Sequence, residues 1–317
     1  MCLGDLVTDV VVRPAGPLRR GTDATAVVHA RRGGSAANVA VHVVAAGGEA
    51  RFVGCVGRDV AGDVLVADLA RQSVEVCARR RGGSGTIVVI VDGDGERSFL
   101  TDRGACTALD RLPPGALAGA AALHLPAYSL DGEPLATTAR RAAARARAAG
   151  LLVSVDTSSV AVLERVGVEA IAALAPDVVF ANVEESEALG GPPALLAALA
   201  RNGRARQGAR GGAVGPGAPR PPRPAGQSPS RPPVVVVKAA TPGGPTVAAT
   251  EVWSSGRAAP AVVALRSPLA VVPDSTGAGD AFAAGFLVAR TRGGGWRAAV
   301  AAGHRRAAAH LRSLGAR

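Results

Sequence analysis

Aromatic side chains are scarce in this sequence. Phe, Trp and Tyr make up 3% of 317 residues, as five Phe, two Trp and one Tyr, and there is a single Met. Hydrophobic residues still reach 48%. A large core is therefore affordable, but it must be built from Ala, Val and Leu, and no aromatic-rich pocket is evident. Lysine is scarcer still: Lys238 is the only one, so arginine carries nearly all the positive charge. The four cysteines, Cys2, Cys55, Cys77 and Cys106, include no C-x-x-C pair. A chain of this length does not need disulfides, so they read as free thiols of a reducing compartment. No apolar run approaches the roughly 20 residues of a membrane helix. The opening "MCLGDLVTD" lacks the basic-then-apolar order of a signal peptide. A cytoplasmic protein without a membrane partner is expected.

The net charge of +11 raises the question of a nucleic-acid partner. Its distribution argues against one. Residues 201–233 hold seven Arg and no acid, and without those seven the chain carries an ordinary +4. That segment is Pro-, Gly- and Arg-rich without periodicity, and it is expected to be a disordered surface insertion.

Elsewhere apolar β-branched runs alternate with Ala-rich helical runs. Strands are expected at 50–57, 151–156, 177–182, 234–239, 246–253 and 269–273, and a hairpin at 85–100 turning on "DGDG". Helices are expected at 59–72, 133–150, 278–290 and 296–314, the second closed by Gly150. Such alternation implies βαβ units and a mainly parallel sheet covered on both faces. Length alone would allow two domains. The start poses a problem: if "LGDLVTDVVV" is one central strand, it begins abruptly after Met1 and Cys2. Either that strand is short or the start lies a few codons upstream.

The stretch "DSTGAGDAFAAGF" (274–286) carries the clearest chemistry. A strand feeds a turn of Gly277, Ala278 and Gly279, and the turn opens a helix. The first N–H groups of a helix have no intrahelical partner, and the helix dipole makes that end electropositive. Bare backbone lets an anion approach those N–H groups. Asp280 follows at once, where it is expected to stay ionised and accept a proton beside the bound anion. Taken alone, the pattern is equally a Gly-rich turn with a first-turn helix acid.

Two long signatures, in order and far apart, resemble those of the PfkB/ribokinase family of carbohydrate kinases. They are "GGSAANVAVHVVAAGGEARFVGCVGRDVAGD" (33–63) and "DSTGAGDAFAAGFL" (274–287). The resemblance implies a ribokinase-like three-layer α/β/α sandwich with a small β-sheet lid. It implies one kinase domain over 1–317, with lid segments near 10–32 and 86–104 interrupting it and the 201–233 insertion later. It implies ATP as phosphoryl donor, Mg²⁺, a monovalent cation such as K⁺ near the anion-hole loop, a small sugar as acceptor, and a homodimer through the lid. Carried over by residue, Asp280 is the base, and the N–H groups of Gly277, Ala278 and Gly279 form the anion hole. Asp9, Gly33, Gly34 and Asn38 hold the acceptor. Asn182 and Glu185, in "NVEE", sit beside Mg²⁺, where a plain helix N-cap is also compatible. Lys238 and Gly243 lie on the nucleotide side, and His304 near the base of ATP. Arg103 is placed toward substrate, with a salt-bridged arginine as the alternative. "KAATPGG" departs from the family's "K-x-G-x-x-G": Ala240 stands where Gly is usual, and Pro242 lies inside the turn. A nucleoside kinase and a non-catalytic sugar or nucleotide sensor on the same fold are therefore the competing readings.

Overall fold

The computed structural model describes residues 1–210, 232–240, 247–255, 259–266 and 276–315. The strand expected at 269–273, Gly243 with its turn, and residues 211–231 of the basic segment lie outside the described residues.

In chain order the first half runs β1 (Cys2–Leu3), β2 (Val7–Pro14), β3 (Ala26–Gly33), α1 (Ser35–Ala45), β4 (Arg51–Val56), α2 (Val60–Arg71), β5 (Glu75–Arg80), β6 (Thr86–Val91), β7 (Arg97–Asp102), β8 (Ala122–Pro126) and α3 (Leu135–Ala148). The second half runs β9 (Leu152–Asp156), α4 (Val160–Ala173), β10 (Val178–Asn182), α5 (Val183–Ala188), α6 (Gly191–Arg210), β11 (Val234–Ala240), β12 (Val247–Ser254), β13 (Ala261–Arg266), α7 (Ala278–Thr291) and α8 (Trp296–Gly315).

Among the described residues these strands form two sheets. The larger has the order β13-β12-β11-β10-β9-β8-β1-β4-β5, and the smaller β3-β2-β6-β7. From β5 to β11 the large sheet is parallel; β12 and β13 join it antiparallel. The near-continuous valines now have a reason. Val235 and Val237 pack into one buried layer, with Leu123, Val153, Val179 and the helices α3, α4 and α6. Val234 and Val236 pack into the other, with Phe52, Val178, Phe180 and α1, α7 and α8. A strand buried on both faces cannot alternate apolar with polar. The few aromatics are concentrated in the second layer. The Phe180 and Phe286 rings meet edge-on at 5.1 Å, and Trp296 lies 5.9 Å from Phe286, directly beneath α7.

Of the readings of "LGDLVTDVVV", the short first strand is the one found: β1 has two residues, between β8 and β4 of the large sheet, and the chain crosses at Gly4–Leu6 to begin β2 in the small sheet. One expectation is corrected. The start of the basic segment is not loop, because residues 201–210 continue α6. Leu195, Leu196, Ala198 and Leu199 bury one face of that helix, and once nucleated a helix propagates cheaply through Arg, Ala and Gln. The four cysteines are free, and three of them are buried. Among the described residues no helix is long and apolar enough to cross a membrane.

Candidate active site

Parallel register brings three strand ends together. Phe180 pairs with Asp156, and Asn182 pairs with Lys238, so β9, β10 and β11 present Asp156, Asn182 and Lys238 at their carboxyl edge. That edge is where open α/β sheets bind ligands. Lys238 Nζ donates to Asp156 Oδ2 at 3.3 Å. The ammonium also lies 3.1 Å from where a Cβ on Gly279 would sit, so it rests against the glycine turn. Burial opposes its charge, but Asp156 and then Glu185 outweigh burial and hold its pKa above the ordinary value.

Asn182 caps α5. Its side-chain oxygen accepts from the Glu185 N–H at 2.7 Å, and Glu185 Oε2 accepts from the Asn182 N–H at 2.9 Å. This capping box is the helix N-cap that the sequence also allowed, and it engages the amide oxygen of Asn182 and one oxygen of Glu185 together. Thr157 Oγ1 donates to the same Glu185 oxygen at 2.6 Å. Burial, then the neighbouring Asp156, raises the Glu185 pKa. Asp156 and Glu185 are thus two buried carboxylates sharing one lysine. This donor set of hard oxygens fits Mg²⁺. Among the described residues no three His, Cys, Asp or Glu side chains are grouped to hold a metal by themselves, so a cation at this pair would complete its shell with water or phosphate oxygens.

The turn into α7 follows. Gly277 is the N-cap at φ 78°, a left-handed conformation open to glycine at little cost. His310 of α8 bonds the Thr276 carbonyl through Nε2 at 2.8 Å and stands against Gly277. Its ring meets His42 of α1 edge-on at 4.6 Å. From the small sheet, Arg97 Nη1 donates to Thr276 Oγ1. Asp280, in the first turn, accepts from Ser35 Oγ at 2.6 Å and from Asn38 Nδ2 at 3.0 Å. Burial pushes its pKa up to about 6, with Asp156 adding to the rise and Ser35, Asn38 and Lys238 opposing it. Desolvation outweighs the helix end, and a carboxyl poised near neutrality is suited to proton transfer.

On the acceptor side, the Asp9 carboxyl lies directly over Gly33, where a Cβ would come within 2.0 Å of Oδ1. Gly34 is at φ 97° with the Asp5 carbonyl 2.3 Å from its Cβ position. The two glycines therefore first admit the chain's own groups, and Asp9 lies over Gly33 where the chain turns into α1, the helix that carries Ser35 and Asn38. Burial raises the Asp9 pKa against the pull of Arg31 and Arg32.

Arg103 and His304 are both engaged by partners within the chain. Arg103 forks onto Asp5, donating from Nε and Nη2 at 2.8 Å each, and its remaining donors reach the carbonyls of Tyr128 and Asp131. A carboxylate as buried as Asp5 requires such a partner. His304 bonds Thr250 Oγ1 through Nε2 at 2.9 Å and meets Phe282 edge-on, which ties α8 to β12. Sequence reasoning missed Asp156, Ser35, Arg32, Arg97 and His310. Only Ser35 had a local signal, standing one helical turn before Asn38.

The model of the pfkB family carbohydrate kinases matches residues 1–207 and 260–317. The chain belongs to that family. It spans about half the length of the curated relatives it matches: with a fructokinase of Klebsiella pneumoniae it shares 34% identity over 161 residues, 49% of this chain and 48% of that protein. Solved structures align almost throughout. An adenosine kinase from Sinorhizobium meliloti superposes with TM-score 0.71 at 22% identity, covering 96% of this chain and 91% of that one. A ribokinase from Thermotoga maritima superposes with TM-score 0.69 at 21% identity, covering 96% and 90%. The fold is therefore ribokinase-like.

Proposed function

We propose that this chain transfers the γ-phosphoryl group of ATP to a hydroxyl of a small sugar, with Asp280 as general base. One observation carries the reading: a carboxyl with a pKa of about 6 stands in the first turn of α7, beside a bare glycine turn and the ammonium of Lys238. Asp9 and Asn38 orient the acceptor so that its hydroxyl faces Asp280. Asp280 takes the proton as the oxygen attacks phosphorus. The N–H groups of Gly277, Ala278 and Gly279, with Lys238, hold the charge on the transferring group. Asp156 and Glu185 would hold Mg²⁺, which when bound neutralises phosphate charge. The small sheet acts as a lid, its Asp9 face toward the turn. Its other face carries Val10, Val12, Val88 and Ile90 in register with the exposed Val28 and Leu100. A second copy of this chain covers that face, and sedimentation at micromolar concentration is expected to give a dimer.

ATP consumption against pentoses, hexoses, sugar phosphates and nucleosides tests the activity. A preferred neutral sugar is expected, with log kcat/KM falling on the acid side of about pH 6 as Asp280 becomes protonated. Turnover of nucleosides alone moves the assignment to a nucleoside kinase. ATP binding with no acceptor phosphorylated defeats the kinase reading.

A further inference from the structure

We propose that Arg32 is a positioning residue for Asp280, acting through the side-chain amide of Asn38. The proposal rests on the reading of Asp280 as the base. Arg32 stands next to the end of β3. Its Nε donates to Asp68 Oδ2 of α2 at 2.9 Å, and its Nη1 donates to Asn38 Oδ1 at 2.7 Å. A guanidinium has donors only. The Asn38 atom that faces it must therefore be the oxygen, and the NH₂ group is forced the other way, onto Asp280 Oδ2 at 3.0 Å.

Among the described residues no other group bonded to Asp280 fixes a donor in this manner. The Ser35 hydroxyl at 2.6 Å can rotate to donate or accept. Without Arg32 the amide of Asn38 can turn over and set its carbonyl against the carboxylate. The row Asp68–Arg32–Asn38–Asp280 thus joins α2, β3, α1 and α7, with Arg32 donating one way to Asp68 and the other way, through Asn38, toward Asp280. It leaves one Asp280 oxygen held by Asn38 and the other beside the mobile hydroxyl of Ser35. Among the described residues the other charged and titratable groups that act on or respond to Asp280 are Lys238 of β11, Asp156 of β9 and the thiol of Cys2 on β1. Arg97 of β7 and the His42–His310 pair stand at the adjoining turn. None of them contacts the Asn38 amide oxygen through a bond as short as that from Arg32.

The test is Arg32→Met, with Asp68→Asn as a second variant that keeps the arginine but frees its anchor. Three readouts are taken: the carboxyl titration of Asp280 by ¹³C NMR in the folded protein, the acid limb of kcat/KM, and kcat against KM for ATP. Arg32→Met is expected to move the titration and the acid limb upward by about one pH unit, and to lower kcat near pH 6.5 several-fold with KM for ATP unchanged. Asp68→Asn is expected to shift both in the same direction by less. In an Asn38→Leu background Arg32→Met should add nothing further. A wild-type titration in both variants overturns the proposal, whatever happens to thermal stability. So does an Arg32→Met effect that persists undiminished in the Asn38→Leu background. Because the NMR titration needs no turnover, a chain that phosphorylates nothing defeats the kinase reading while the role of Arg32 is still decided.

Discussion

Asp280→Asn is expected to lower kcat by about 10²–10⁴-fold, the usual worth of a positioned base, while ATP binding by calorimetry stays intact. The folded protein should not suffer. The native site raises the Asp280 pKa from its ordinary 3.8 to about 6, chiefly through burial. A carboxyl whose folded pKa is raised contributes stability below its unfolded pKa and loses it as pH climbs through the folded one. Above pH 6 the ionised group therefore works against folding, by at most about 3 kcal/mol. An amide removes that charge and can still pair: its oxygen accepts from Asn38 and its NH₂ donates to Ser35, whose hydroxyl turns to receive it. At pH 7.5 the variant should melt at the wild-type temperature or above it. Full activity in this variant would refute the assigned mechanism for every acceptor.

Lys238→Met is expected to do the opposite to stability. Lys238 is the cation between Asp156 and Glu185, and all three lie at the large sheet's carboxyl edge. Removing one partner of a buried ion pair leaves uncompensated charge, at a cost on the order of 3 kcal/mol. Urea unfolding at pH 7.5 should read this as a lower midpoint with an unchanged slope. Millimolar Mg²⁺ should restore part of the loss, because the two carboxylates now share no protein cation. Turnover should drop as well, on the order of 10²-fold, since the glycine turn loses its fixed positive charge. An unchanged midpoint would mean that water, not Lys238, compensates the two acids.

What was legible in the sequence is what depends on neighbours along the chain. The valine runs gave buried strands, the glycine turn gave the α7 entry, and the spacing of Asn182 and Glu185 gave a one-turn pair. Asp156 was silent because its position beside Lys238 depends on parallel register between strands 82 residues apart in the chain. For Arg103 the salt-bridged alternative was open, but its partner could not be named because Asp5 is 98 residues away. The rise in the Asp280 pKa was hidden for a related reason. The helix end is visible locally, but the burial that outweighs it comes from packing on distant elements. "LGDLVTDVVV" stayed open for a different reason: one apolar run can serve two sheets when a short crossover fits inside it, and periodicity does not mark the crossing.

The scarcity of lysine has a chemical consequence. The only side-chain primary amine in 317 residues is Lys238, and it stands against the Gly279 turn. Acylation, glycation or any other amine-directed modification of a side chain in this protein has a single address. That address lies against Asp156 and the Gly279 turn, so such a modification cannot be a surface decoration without effect: acylation would remove the cation paired with Asp156, and glycation would add bulk beside the turn.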